Sequence, residues 1–273
     1  MLPAHKRYLC LITSICLVSG TLVLAMPIMA QERGSISASR AALSTPILNA
    51  PLSSAQVIAG AEKMYRQRLS DLAHAGYLDQ DADFLAQLNK IMQTLLTSLA
   101  HNYPATRAWQ WEIHSSHEPE ESALSMAGGK ILVNQWQVQK LSLNQAELAM
   151  LLSHEIAHTA LEHNRLEYEH ALMLFPAWRY RSFDALEDAV DNDTQFLRAL
   201  APLCKQQEEQ ADQIGLQLAW RAGFPLQSLV NFYKKLSRHS ANPNFDTASH
   251  PAPAQRWMAM RELALQLSGA AVR

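Results

Sequence analysis

The chain has 273 residues and a formal net charge of -2 at pH 7, with 48% hydrophobic and 18% charged residues. That near-neutral balance excludes electrostatic capture of nucleic acid, and the proportions are those of an ordinary globular protein. The length accommodates one sizeable domain or two small ones, and neither a low-complexity block nor a repeat at solenoid spacing interrupts it.

The first thirty residues stand apart. "HKR" (His5 to Arg7) precedes "YLCLITSICLVSGTLVLAMPIMAQE". A basic start, a long apolar run and a small residue at Ala30 read as a secretory signal peptide over 1–30, cleaved after Ala30 or, as a second choice, Ala25. The alternative is an uncleaved inner-membrane anchor facing the periplasm, since Tyr8 to Met26 approaches the ~20 residues that span a bilayer. A lipobox is set aside because Ile15, not a small residue, precedes Cys16. Cys10 and Cys16 fall in this leader, so the mature chain keeps only Cys204 and no internal disulfide forms. Residues 31–54, rich in Ser, Ala and Pro, read as a flexible linker.

A helix is predicted from Ala55, stopping at Gly76, and a stronger one over 81–102. In the second, Phe84, Leu88, Ile91, Leu95 and Leu99 recur at three- and four-residue spacing, and Pro104 ends the run. The period then becomes two: "WQWEIH" alternates Trp109, Trp111 and Ile113 against polar neighbours. "SALSMAGGKILVN" places a Gly128-Gly129 turn between two short apolar runs. These segments make a small sheet of about three strands. Helices are predicted for 143–168, 183–200, 205–222, 226–237 and 254–267, so the fold class is α+β, mainly α. "EHALMLFPAWRY" is either a lid or core packing.

The chemistry lies in "LLSHEIAHTALEHN", which begins at Leu151. Residues i and i+4 share a helix face, so His154 and His158 can turn both imidazoles to one zinc ion. Glu155 is rotated by about 100° from His154 on a helix of 3.6 residues per turn, towards a water rather than the metal. Catalytic zinc usually takes three protein ligands and a water. "CKQQEEQADQIGLQLAWRAG" offers the third: Glu208 and Asp212 also lie four apart. Glu208 completes a His-His-Glu set for one zinc ion per chain, and Asp212 can accept the remaining ring N–H, most directly of His154. Ala211 and Gly215 leave room for two helices to pack closely, and Glu209 points to solvent.

These segments resemble the HtpX-like and CAAX-prenyl-protease family of gluzincins, metallopeptidase family 48. The matching stretches are "AELAMLLSHEIAHTALEH", "EEQADQIGLQLAWRAGF", "SHPAPAQRWMAMREL" and the glycine-pair strand "SMAGGKILVN". The resemblance covers roughly Tyr77 to Leu267 and implies a helical metallopeptidase domain over 55–270. It assigns zinc binding to His154, His158 and Glu208, and the general base to Glu155. The upstream strand departs from the family's usual Asn-Ala-Phe-Ala-Leu-Pro-Gly-Gly, which leaves substrate preference open. Integral-membrane members carry extra spanning helices that are not visible here, so the resemblance is to an exported soluble bacterial member.

Such a site hydrolyses peptide bonds, with Glu155 moving the proton from water to the leaving amine. Arg256, after the "HPAP" loop, is a candidate oxyanion donor or a surface arginine. His250 is a candidate regulatory residue that plugs the water position, or a loop-stabilising histidine. Ser125, Met126, Ala127 and Gly128 are candidates for an edge strand that pairs with an extended peptide, or belong to a covered strand. His114, His117, His163 and His170 are not expected to bind metal. The leading function is a zinc endopeptidase of the periplasm acting on unfolded or damaged proteins, in association with envelope membranes or outer-membrane assembly machinery. The alternatives are a zinc-stabilised chaperone or scaffold with little turnover, and a metal-dependent hydrolase of other bonds.

Overall fold

The computed structural model describes residues 51–119, 123–247 and 249–271. The expected signal peptide and nearly all of the expected linker lie outside these described residues. The linker's far end is shorter than expected: Ser53 caps α1 (Ser54–Ala75) through a capping box with Gln56, so Ser54 is already helical. Gly76, in the left-handed region, closes that helix. α2 (Ala82–Asn102) starts at the Asp81 cap and buries Phe84, Leu88, Ile91, Leu95 and Leu99, the stripe its periodicity marks out.

Three strands follow: β1 (Glu112–Ser116), β2 (Leu124–Met126) and β3 (Lys130–Asn134), in the order β1-β3-β2. β3 pairs antiparallel with β2 and parallel with β1. The β2–β3 connection carries Gly128 and Gly129 at φ 81° and 89°. A Cβ on Gly129 would lie 2.7 Å from the Trp111 ring, so this turn needs glycine for space as well as for backbone conformation. Trp109 and Trp111 precede the strand; Trp109 closes a 3₁₀ turn over Pro104–Ala108 instead of pairing. One face of the sheet, with Leu124, Met126 and Leu132, packs on α1 residues Ala61, Tyr65, Leu69 and Leu72. The other face, with Ile113, Ile131 and Val133, joins the main core. Tyr65 donates its hydroxyl to the Ile131 carbonyl at 2.6 Å and fixes α1 across the sheet.

The rest is helical: α3 (Gln135–Lys140), α4 (Gln145–Ala160), α5 (His163–Leu174), α6 (Phe183–Asn192), α7 (Thr194–Arg221), α8 (Leu226–His239) and α9 (Pro253–Ala271). Two boundaries differ from the sequence expectation. The helix expected over 143–168 is two helices, because Glu162 takes a left-handed conformation (φ 54°) and redirects the chain. The helices expected over 183–200 and 205–222 divide at Asp193 instead, whose carboxylate caps α7 by accepting from the Gln195 N–H at 2.7 Å. α7 then runs through Pro202 without ending. Part of the "EHALMLFPAWRY" segment packs into the core, as one of its two readings expects. Phe175 and Trp178 pack on Phe196, while Met173, Leu174 and Tyr180 are exposed. Cys204 is a buried thiol in the same hydrophobic cluster as Phe196. Among the described residues, no helix is long and apolar enough to cross a membrane.

Candidate metal centre

α4 is placed by its start and by its surroundings. Asn144 accepts from the N–H groups of Ala146 and Glu147, and the Glu147 carboxylate accepts in turn from the Asn144 backbone N–H. The same Glu147 pairs with Lys235 of α8 at 2.7 Å, tying the helix start to a neighbour. From Glu147 to Thr159 every residue is buried, so the helix is a core element that carries its polar side chains inside. α7 crosses it closely. A Cβ on Gly215 would stand 3.0 Å from the His154 backbone nitrogen. That approach brings Glu208 and Asp212 over the two histidines.

His154, His158 and Glu208 converge, with one potential ligand atom from each lying within 4.8 Å of the others. The His154 and His158 Nε2 atoms are 3.1 Å apart. Glu208 Oε1 lies 3.1 Å from His158 Nε2, and Oε2 lies 3.5 Å from His154 Nε2. Ligands around a tetrahedral ion at Zn–N ~2.0–2.1 Å are about 3.3 Å apart, so this donor set fits a small divalent cation.

Outside this triangle, each group is held by another. Asp212 Oδ1 is 2.9 Å from His154 Nδ1, which turns Nε2 inward. Arg256 donates to both Asp212 oxygens at 2.7 and 2.6 Å, and the Tyr233 hydroxyl donates to Oδ1 at 2.8 Å. Arg256 Nη1 reaches Glu208 Oε2 at 3.2 Å, and His250 Nδ1 approaches the same oxygen at 3.1 Å. Arg256 is therefore a buried part of the site and not a surface arginine. His163 Nδ1 meets His158 Nδ1 at 2.9 Å, and His163 Nε2 meets Gln210 at 3.2 Å. Sequence reasoning missed His163 and Tyr233 as supports. Their only prior trace was residue type, because the turn at Glu162 and the α7–α8 packing that bring them in have no local signature.

Burial opposes a charged His154, yet Glu208 and Asp212 lift its pKa to about 10. Glu208, also buried, is held well below the usual carboxylate range by His250, Arg256 and His154. Burial lowers His158, and burial with the neighbouring His158 lowers His163 to about 3. Glu155 is fully buried and neither carboxylate oxygen has a hydrogen-bond partner. Burial raises its pKa to about 7, against the pull of His154 and of the nearby Ser125 hydroxyl. Ser125 and Met126 lie in β2, which pairs on one side with β3 and has no second strand among the described residues. Ala127 and Gly128 continue from it and line a small cleft with Thr159, Glu162 and Arg165. Glu209 is exposed, as its position predicts.

A His-Glu-x-x-His helix crossed by a glutamate-bearing helix is the architecture of a metallopeptidase domain. The model of peptidase family M48 matches residues 85–264, and the chain belongs to that family. It is 26% identical over 162 residues to the beta-barrel assembly-enhancing protease of Escherichia coli (strain K12), covering 54% of this chain and 33% of that protein. It is 28% identical over 160 residues to the mitochondrial metalloendopeptidase OMA1 of Saccharomyces cerevisiae, covering 54% of this chain and 45% of the relative. The match to the Yersinia pestis beta-barrel assembly-enhancing protease is 24% over 194 residues, 66% of this chain and 40% of the relative. The chain thus spans less than half the length of these relatives.

Proposed function

We propose that this chain is a zinc-dependent endopeptidase of the bacterial periplasm, with one zinc ion held by His154, His158 and Glu208. The observation that supports this reading is the convergence of those three donors beside a buried carboxylate with no partner of its own, Glu155. Zinc, when bound, supplies a Lewis acid that polarises a carbonyl and acidifies water. Glu155 accepts the proton of the attacking water as the C–O bond forms, and passes it to the amine as the C–N bond breaks. Asp212 orients His154, and Arg256 and Tyr233 hold Asp212. Arg256 is proposed as a further donor to the oxyanion through Nη1, which lies 3.2 Å from Glu208 Oε2 and would be shared with it.

β2 is buried, and an extended polypeptide adds by main-chain hydrogen bonds to its edge away from β3 once that strand is uncovered, so Ser125, Met126, Ala127 and Gly128 bind sequence-tolerantly. This suits unfolded or damaged protein substrates. The relatives named for beta-barrel assembly suggest that such substrates include outer-membrane proteins in transit, with the protein exported by residues 1–30 and working near the envelope membranes. His250 is proposed as a reversible plug, supported by its seat 3.1 Å from the Glu208 carboxylate.

The test is casein digestion by the zinc-loaded protein, by the chelated protein and by Glu155→Gln. Cleavage is expected only from the first. Digestion that survives chelation, or is unchanged in Glu155→Gln, overturns the reading.

A further inference from the structure

A second pocket lies on the other side of β2 from the candidate metal centre. It holds about 30 Å³ and is lined by Ala61 and Met64 of α1, Leu124 and Met126 of β2, and Asn164, Glu187 and Asp191 of α5 and α6. The two sides of β2 have different chemistry. Ser125 turns to Glu155, while Leu124 and Met126 turn to α1 and this pocket. Alternation along the strand imposes that division.

The pocket's far wall is acidic. Glu187 is 3% exposed, and its Oε1 has no hydrogen-bond partner. It presses on Gly60, where a Cβ would meet that oxygen at 2.5 Å, so the carboxylate is backed by α1. Burial and the neighbouring Asp191 raise its pKa to about 8, and burial with Asp188 raises Asp191 to about 7. Lys63, the cation acting on Glu187, is engaged at the surface with Asp184. Buried Glu187 and partly buried Asp191 therefore sit beside β2 with no ion pair of their own among the described residues.

We propose that this pocket is a subsite for a lysine side chain of the substrate, its ammonium seated against Glu187 and Asp191 while the peptide backbone pairs with the edge of β2 away from β3, once that buried strand is uncovered. The inference rests on the endopeptidase reading and adds a specificity to it. A strand laid along β2 alternates its side chains between the two sheet faces, so one residue flanking the metal-facing position enters the pocket. A cavity of about 30 Å³ takes roughly two water-sized groups. That suits a compact ammonium and not a planar guanidinium. The lysine stem lies over Leu124, Met64 and Met126, and the two methionine thioethers adapt to it.

The test uses positional pools of unstructured hexapeptides carrying lysine, arginine or norleucine at each position in turn. Cleavage is measured with the zinc-loaded wild type, and retention with zinc-loaded Glu155→Gln. One position is expected to favour lysine over norleucine by roughly tenfold or more, the scale of a charge-assisted buried hydrogen bond. Arginine is expected to fall below lysine. In Glu187→Gln/Asp191→Asn that ratio is expected to approach one; should the double variant not fold, Asp191→Asn and the wild-type ratio decide. Cleavage with no lysine preference overturns the subsite and leaves the peptidase reading intact. Lysine-selective retention without cleavage does the reverse, and neither cleavage nor retention overturns both.

Discussion

Gly215 of α7 lies against the backbone of His154 so closely that a Cβ on it would be 3.0 Å from the nitrogen and 3.1 Å from Cα. The two helices that carry the metal donors are therefore set apart by a hydrogen atom. Gly215→Ala is expected to lower Tm and zinc occupancy modestly, and Gly215→Val to lower both strongly. Overpacking of this kind costs about 1–3 kcal/mol, here against backbone that cannot swing aside. Thermal melts and metal analysis of the purified variants check it; a Gly215→Val protein with full zinc content contradicts the close-packing argument.

In the proposed zinc site Asp212 would act through His154, not as a ligand itself. Asp212→Asn keeps the size of the side chain but surrenders its charge, and zinc affinity is expected to drop by about 10–100-fold, the usual effect of losing an outer hydrogen-bond partner. Tyr233→Phe removes one of the three hydrogen bonds to Asp212 and is expected to have a smaller effect in the same direction. Competition with a zinc-sensitive chelating dye measures both. Equal affinities in wild type and Asp212→Asn would count against the positioning role.

His250 approaches Glu208 from the loop before α9. As a plug it competes with water or substrate, so His250→Ala is expected to cleave casein as fast as the wild type or faster. Complete loss of activity with zinc still bound would make His250 part of the catalytic apparatus and end the plug proposal.

Glu187 and Asp191 also set a pH dependence of stability. Both pKa values are raised in the folded protein, to about 8 and about 7. A raised carboxylate favours the folded state most below its unfolded value, and the favour is lost as pH climbs through the folded value. Stability is therefore expected to decline between about pH 4 and pH 8 through these two groups. Glu187→Gln cannot ionise and should flatten that decline. Parallel Tm-against-pH curves for wild type and variant test this, and superimposable curves would show that Glu187 does not carry it.

Much of the site was legible because it is local. The i, i+4 spacings of His154 with His158 and of Glu208 with Asp212 put each pair on one face of its helix whatever the rest of the chain does. The stripe along α2 and the glycine turn before β3 are local in the same sense. The errors were at breaks. Nothing in "ALEHNR" announces that Glu162 will turn left-handed, and a periodic reading carries the helix past it. A helix end is expected after Leu200, but α7 runs on through Pro202 and the break lies at Asp193.

The sequence by itself determined which residues can bind a cation and which faces they share, because helical periodicity is a property of neighbours in the chain. Only the tertiary structure decided that α7 crosses α4 at Gly215, that β1 runs parallel to β3, and that Arg256, Tyr233 and His163 surround the donors. It also placed the Glu187 pocket beside β2. Each of these depends on contacts between residues far apart in the chain, whose geometry is settled by how side chains of several elements fill one core.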